Sequence, residues 1–122
     1  MNHKMEYGTA YHKALEKFYA TGDRTAAMNM ALEHYSNPVI VVPESDWRTA
    51  GHLATCLTQY FDNYSEVDGL VVEHHNGEPL LEMKFAYPFY TNGTVDVLLC
   101  GTIDFIGKYF GQNIICDHKS TA

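Results

Sequence analysis

Positive charge is scarce in this sequence. Its 122 residues carry eight Lys and Arg against fifteen Asp and Glu, a net charge of −7. That balance argues against a protein that coats nucleic acid through a general basic field. It leaves room for an enzyme whose carboxylates are offset by bound metal. Paired metal-ligand cysteines are also missing. Cys56, Cys100 and Cys116 are odd in number and widely spaced, with no C-x-x-C. They are read as buried free thiols of a protein in a reducing compartment. His74-His75 and Cys116-x-His118 are the close pairs among the seven histidines and three cysteines. Neither has the spacing of a structural zinc site. No apolar run approaches the roughly 18 residues of a membrane span. The opening MNHKMEYGTAYHKALEKF has charges throughout and no apolar h-region, so it does not read as a signal peptide. Low-complexity tracts, repeats and linkers are absent as well.

What is present is a globular composition, 46% apolar with one Trp, nine Tyr and six Phe. The length suits one domain with a modest core. The pattern changes near Tyr64. Residues 1–64 are patterned as helices and residues 65–122 as strands and turns, which predicts an α+β class. A first helix is expected from about Asn2 or Lys4 to Ala20, with Gly8, Tyr11, His12, Leu15, Phe18 and Tyr19 on one face. Gly8 within it costs about 1 kcal/mol against alanine, which points to close approach of another backbone. Three of the eight basic residues, Lys4, Lys13 and Lys17, lie on this helix and hint at a phosphate-facing edge. A second helix, capped by Thr21 or Asp23, runs to about Tyr35 with Ala27, Met30, Ala31 and His34 or Tyr35 inward. Val39 to Val42 is an extended connection. Pro43-Glu44-Ser45-Asp46 is expected to open a third helix with acids in its first turn, and Trp47 to Tyr64 supplies a long apolar stripe.

Beyond it, Val67 to His75 and Leu80 to Phe89 read as a hairpin about Asn76-Gly77. Thr91-Asn92-Gly93 turns the chain into a long strand, Val95 to Tyr109, bent at Gly101 or Gly107. Phe110 to Asn113 turns it into a last strand, Ile114 to Ser120. The sheet is expected to be a largely antiparallel meander. Each of the last two strands carries one aspartate among apolar residues, TIDFI and IICDH. Aspartate is disfavoured in strands, and burying unpaired carboxylates is costly. Asp104 and Asp117, with Lys119 two residues on and projecting alongside Asp117, suit a divalent cation and a charged transition state. An ion pair across strands is the plain structural alternative. His12, on a mostly apolar helix face, is either a core histidine or a metal ligand.

Three motifs in this order resemble the RecB-like branch of the PD-(D/E)xK nuclease superfamily. Gly8, His12, Leu15 and Glu16 match its helical GxxxHxxLE. Gly101 and Asp104 match its strand GxxD. Asp117, Lys119 and the following Ser120-Thr121 match its D-x-K-[TS]. Phage and CRISPR-associated single-domain exonucleases, and nuclease domains of recombination helicases, have this order. The resemblance implies an α+β fold with a restriction-endonuclease-like core, N-terminal helices packed on a mixed, mostly antiparallel sheet, and one domain over residues 1–122. It implies a Mg²⁺- or Mn²⁺-dependent exonuclease acting on linear or single-stranded DNA ends in cytoplasmic recombination, repair or phage DNA processing. Ligands would be His12, Asp104, Asp117 and the backbone carbonyl of His118, with Lys119 catalytic. A glutamate on an earlier strand is often added, Glu82 being the better match and Glu73 the alternative. The family pattern continues with a helix bearing QxxxY, whereas this sequence stops at Ala122, so a C-terminally truncated domain is expected. No iron–sulfur cluster is implied by these cysteines. A non-catalytic module keeping the fold, self-association, and association with recombination proteins are the other expectations.

Overall fold

The computed structural model describes residues 2–64 and 70–119. Its described residues form three helices followed by antiparallel strands, an α+β protein. The chain forms two compact units, residues 1–68 with 118–122, and residues 69–117. Among the described residues no helix is long and apolar enough to cross a membrane.

The first unit is helical. Helix α1 (His3–Thr21) starts at Asn2, whose side chain accepts from the Lys4 amide, and stops at Gly22, whose left-handed backbone (φ 72°) returns an N–H to Phe18. Helix α2 (Arg24–Tyr35) is capped by Asp23, which accepts from the Ala26 amide. Helix α3 (Ala50–Tyr64) begins later than its acidic approach suggested. Asp46 instead accepts from the Arg48 amide and guanidinium at 3.0 Å and bonds His3 at 2.7 Å. Such local bonds compete with helix, and Thr49 takes the cap by accepting from the His52 amide.

The core of this unit is Tyr7, Ala10, Ala14, Leu15 and Phe18 of α1, Ala27, Ala31 and Tyr35 of α2, and Leu53, Leu57 and Phe61 of α3. The four alanines are fully buried. Small side chains there let the helix axes come close, a role the sequence suggested for Gly8, which lies half-buried. The inward face of α1 is thus rotated from expectation, leaving Tyr11, His12 and Tyr19 half-buried at its margin. Met30 is exposed rather than inward. The Phe18 and Phe61 rings pack 4.6 Å apart, centroid to centroid.

The second unit is a sheet organised on one long strand. Its strands are β1 (Leu70–Val72), β2 (His74–His75), β3 (Glu78–Pro79), β4 (Leu81–Thr91), β5 (Asp96–Tyr109) and β6 (Gln112–Cys116). Every pairing among the described residues is antiparallel, so no mixed sheet forms. β1 and β4 both pair with β5, at Gly107–Tyr109 and Asp96–Phe105, and β6 also pairs with β5. The Asn76-Gly77 turn has both residues left-handed, φ 53° and 83°, as a type I′ hairpin requires. It closes only the two-residue ladder β2–β3, not the long hairpin expected. Glu73 and Leu80, on either side of it, hydrogen-bond to each other and to Ile106 of β5. β1 and β4 therefore act as one edge strand interrupted by a small excursion. The Val67 end of the expected first strand lies outside the described residues.

β5 needs its glycine at 107. A Cβ there would stand 2.1 Å from the Val71 carbonyl oxygen and 2.5 Å from the Phe105 ring. Phe105 is fully buried. The last strand is shorter than expected. β6 ends at Cys116, and Asp117 to Lys119 have no regular secondary structure. The cysteines are free; Cys56 and Cys116 are half-buried rather than fully buried, and Cys100 is exposed.

Candidate metal centre

The register of the sheet unit builds the site. β4 pairs with β5 as Leu81↔Phe105 and Met83↔Ile103, which sets Glu82 opposite Asp104. β6 pairs with β5 as far as Phe105↔Cys116, and Asp117 follows directly after the last paired residue. Two carboxylates, Glu82 and Asp104, thus face each other across neighbouring strands. Side chains opposite one another in an antiparallel pair stand on the same side. Carboxylate oxygens of Glu82 and Asp104 lie within 4.8 Å of each other. The charges of Asp104 and Asp117 also reach Cys116, whose thiol is pushed up by burial first and by those two carboxylates next.

Glu82 is held in an unusual backbone. Its φ is 51°, in the left-handed region that favours glycine. At this second residue of β4 it costs a non-glycine residue about 1–2 kcal/mol. Strain of this kind gathers where a side chain must be aimed. Glu73, the alternative glutamate, is instead 3.5 Å from the Lys108 ammonium in an ion pair.

The donor set suits a hard divalent cation. Carboxylate oxygens are the ligands Mg²⁺ and Mn²⁺ prefer. Two oxygens bound to one Mg²⁺ stand at most about 4.2 Å apart, so Glu82 and Asp104 need move less than about 1 Å to share an ion.

The other expected residues fall in the helical unit or at its border. His12 is half-buried on α1, and its ring lies 6.2 Å from that of His118, edge to face. His118 stacks on Tyr19 at 5.8 Å with the rings 4° from parallel. The Tyr19 hydroxyl hydrogen-bonds that of Tyr60 on α3. Asp117 is the final residue of the sheet unit, and His118 belongs with the helices. Asp117 and Lys119 are consequently not neighbours on one strand face, as the sequence suggested. Both are exposed.

Tyr19 and Tyr60 were not singled out for a role at His118. The signal was available for Tyr19, seven residues after His12 and so on the same side of α1. A second aromatic group, Tyr7, Trp47 and His52, was also missed. There the Tyr7 hydroxyl is 3.0 Å from His52 Nδ1, and burial raises its pKa.

No family model, no curated protein and no solved structure matches this chain.

Proposed function

We propose that this chain is a metal-dependent DNA exonuclease, or the catalytic part of one, acting on linear or single-stranded DNA ends. The observation that supports this reading most is the closeness of the Glu82 and Asp104 carboxylates, with Glu82 in a strained backbone opposite Asp104. Two acids facing each other are more than sheet stability needs, because adjacent like charges destabilise a sheet. A bound cation offsets that repulsion.

In this reading Glu82 and Asp104 would hold the ion. Asp117, His12 and the His118 carbonyl enter as ligands through the sequence resemblance. When bound, Mg²⁺ or Mn²⁺ supplies an acidified water and a clamp on a phosphate oxygen. A nitrogen ligand from His12 tilts the preference toward Mn²⁺. Lys119 serves the phosphate, either by orienting the attacking water or by neutralising negative charge that develops in the transition state. The protein's acidic surface gives DNA no broad basic field, so binding rests on local contacts such as Lys13 and Lys17 of α1.

The test combines hydrolysis with metal binding. Purified protein is expected to degrade linear DNA with Mn²⁺ and not with EDTA. Asp117→Ala and Lys119→Ala should each lose at least about 100-fold. Isothermal titration should show Mn²⁺ binding that Asp104→Ala removes and Lys119→Ala leaves in place. Binding without hydrolysis would leave a non-catalytic module of the same fold. Absence of both would end the reading.

A further inference from the structure

The β4–β5 pair extends well past the rest of the sheet. Among the described residues β6 pairs with β5 only at Phe105–Tyr109 and β1 only at Gly107–Tyr109. From Lys84↔Thr102 to Thr91↔Asp96 the two strands form a two-stranded ribbon. Its register sorts the side chains. Phe85 opposes Gly101, Tyr87 opposes Leu99, and Tyr90 opposes Val97. These residues share one face, since β5 runs through 97, 99 and 101 by steps of two. The opposite face carries Ala86, Pro88, Leu98, Cys100, and the polar Lys84 and Thr102. The first face has no charged residue. Its large side chains are 39% (Phe85) to 65% (Tyr87) exposed. The Phe85 ring lies across Gly101, where a Cβ would stand 2.8 Å from it, so the face is smooth rather than ridged.

We infer that this face of the ribbon is a dimerisation surface, covered by the same face of a second copy of the chain. Size is the first argument. Five side chains of this kind, about half exposed, offer roughly 500 Å² of apolar surface. That reaches the upper range of what single soluble chains leave open. Two such faces together remove about 1,000 Å², the least that a specific interface needs. Charge is the second. The protein carries −7 overall, and like copies repel. An uncharged patch is where two copies can meet without opposing like charges. It offers nothing to a polyanion or to a charged peptide. Geometry is the third. A two-fold axis needs one patch that complements itself, and two twisted ribbons stacked face to face about 10 Å apart meet that need. Edge-to-edge addition along β4 is blunted by Pro88, which has no N–H to donate, and by the register irregularity between Pro88 and Tyr90.

Sedimentation velocity of the 122-residue chain over a dilution series tests this. A species of twice 13.8 kDa is expected, dissociating on dilution. Tyr87→Lys and Leu99→Lys should each give monomer at every concentration in the series, with far-ultraviolet circular dichroism unchanged because both side chains are exposed. Leu98→Lys, on the opposite face, should remain dimeric. A wild-type protein that is monomeric throughout overturns the inference. So does association that survives both face variants, or that Leu98→Lys abolishes. None of these outcomes depends on nuclease activity.

Discussion

Replacing Glu82 with alanine and with glycine separates backbone strain from carboxylate chemistry. Both substitutions remove the carboxylate and every bond it makes, so their difference reports the backbone. In an ordinary strand glycine is worse than alanine by about 0.5–1 kcal/mol, through the entropy of the unfolded chain. At φ 51° alanine pays about 1–2 kcal/mol that glycine does not. The order therefore inverts, and Glu82→Gly should be more stable than Glu82→Ala by about 0.5–1 kcal/mol. For a domain of this size that is a difference of about 2–4 °C in Tm. Metal supplies a second axis. A ligand binding only the native state raises stability by about 2.7 kcal/mol at one hundred times its Kd. Wild-type protein should gain that increment with Mn²⁺, and both variants should lose most of it. Differential scanning fluorimetry with and without Mn²⁺ reads both effects. If alanine is the more stable of the two, Glu82 is not strained. If Mn²⁺ stabilises both variants as well as wild type, Glu82 is not a ligand.

Other consequences are as direct. Gly107→Ala drives a Cβ into the Val71 carbonyl oxygen and the Phe105 ring, and should cost about 3 kcal/mol or more in chemical denaturation. Asp46 has its carboxyl held at about 2, first by the His3 hydrogen bond and then by the Arg48 amide. A folded pKa below the ordinary carboxylate value gives stability that is present above about pH 4 and is lost as pH falls toward 2. Asp46→Asn should be less stable than wild type at neutral pH and should flatten that acid limb, as pH-dependent unfolding will show. Cys100 is exposed, whereas the Cys116 thiol is pushed up by burial and by Asp104 and Asp117. Mass spectrometry after brief alkylation near pH 8 should find Cys100 modified well before Cys116.

The helices were legible because their signals are local. Apolar spacing, the Asp23 cap and the Gly22 stop lie within a turn of the features they determine. The start of α3 was misjudged because its cause is not local. Asp46 looks like a first-turn acid, but its bonds to His3 and Arg48 draw on a residue forty-three positions away. Turn chemistry at Asn76-Gly77 and Phe110-Gly111 was readable, and the left-handed angles bear it out. What each turn joins was not equally readable. Asn76-Gly77 suggests that its flanking strands pair with each other, yet β5 competes for both with a longer ladder. At the candidate site, Asp104 and Asp117 stood out as acids in apolar strands. Glu82 stood out only through the family resemblance, with Glu73 as its alternative, and the register and its backbone angle set it apart from Glu73. The ring stack between His118 and Tyr19 joins residues ninety-nine apart in the chain, and no local pattern announces it.

The six-residue excursion between Glu73 and Leu80 has a meaning for how such a chain can change. The amide of Leu80 bonds the carbonyl of Glu73 at 2.8 Å, so the excursion leaves the sheet and returns to nearly the same point. Its exposed Asn76-Gly77 tip is fixed to the sheet only at its base. Residues could be added there, or a whole folded segment grafted in, without shifting the register that aligns Glu82 with Asp104. This is a port through which new binding specificity could be acquired while the chemistry-bearing strands keep their places.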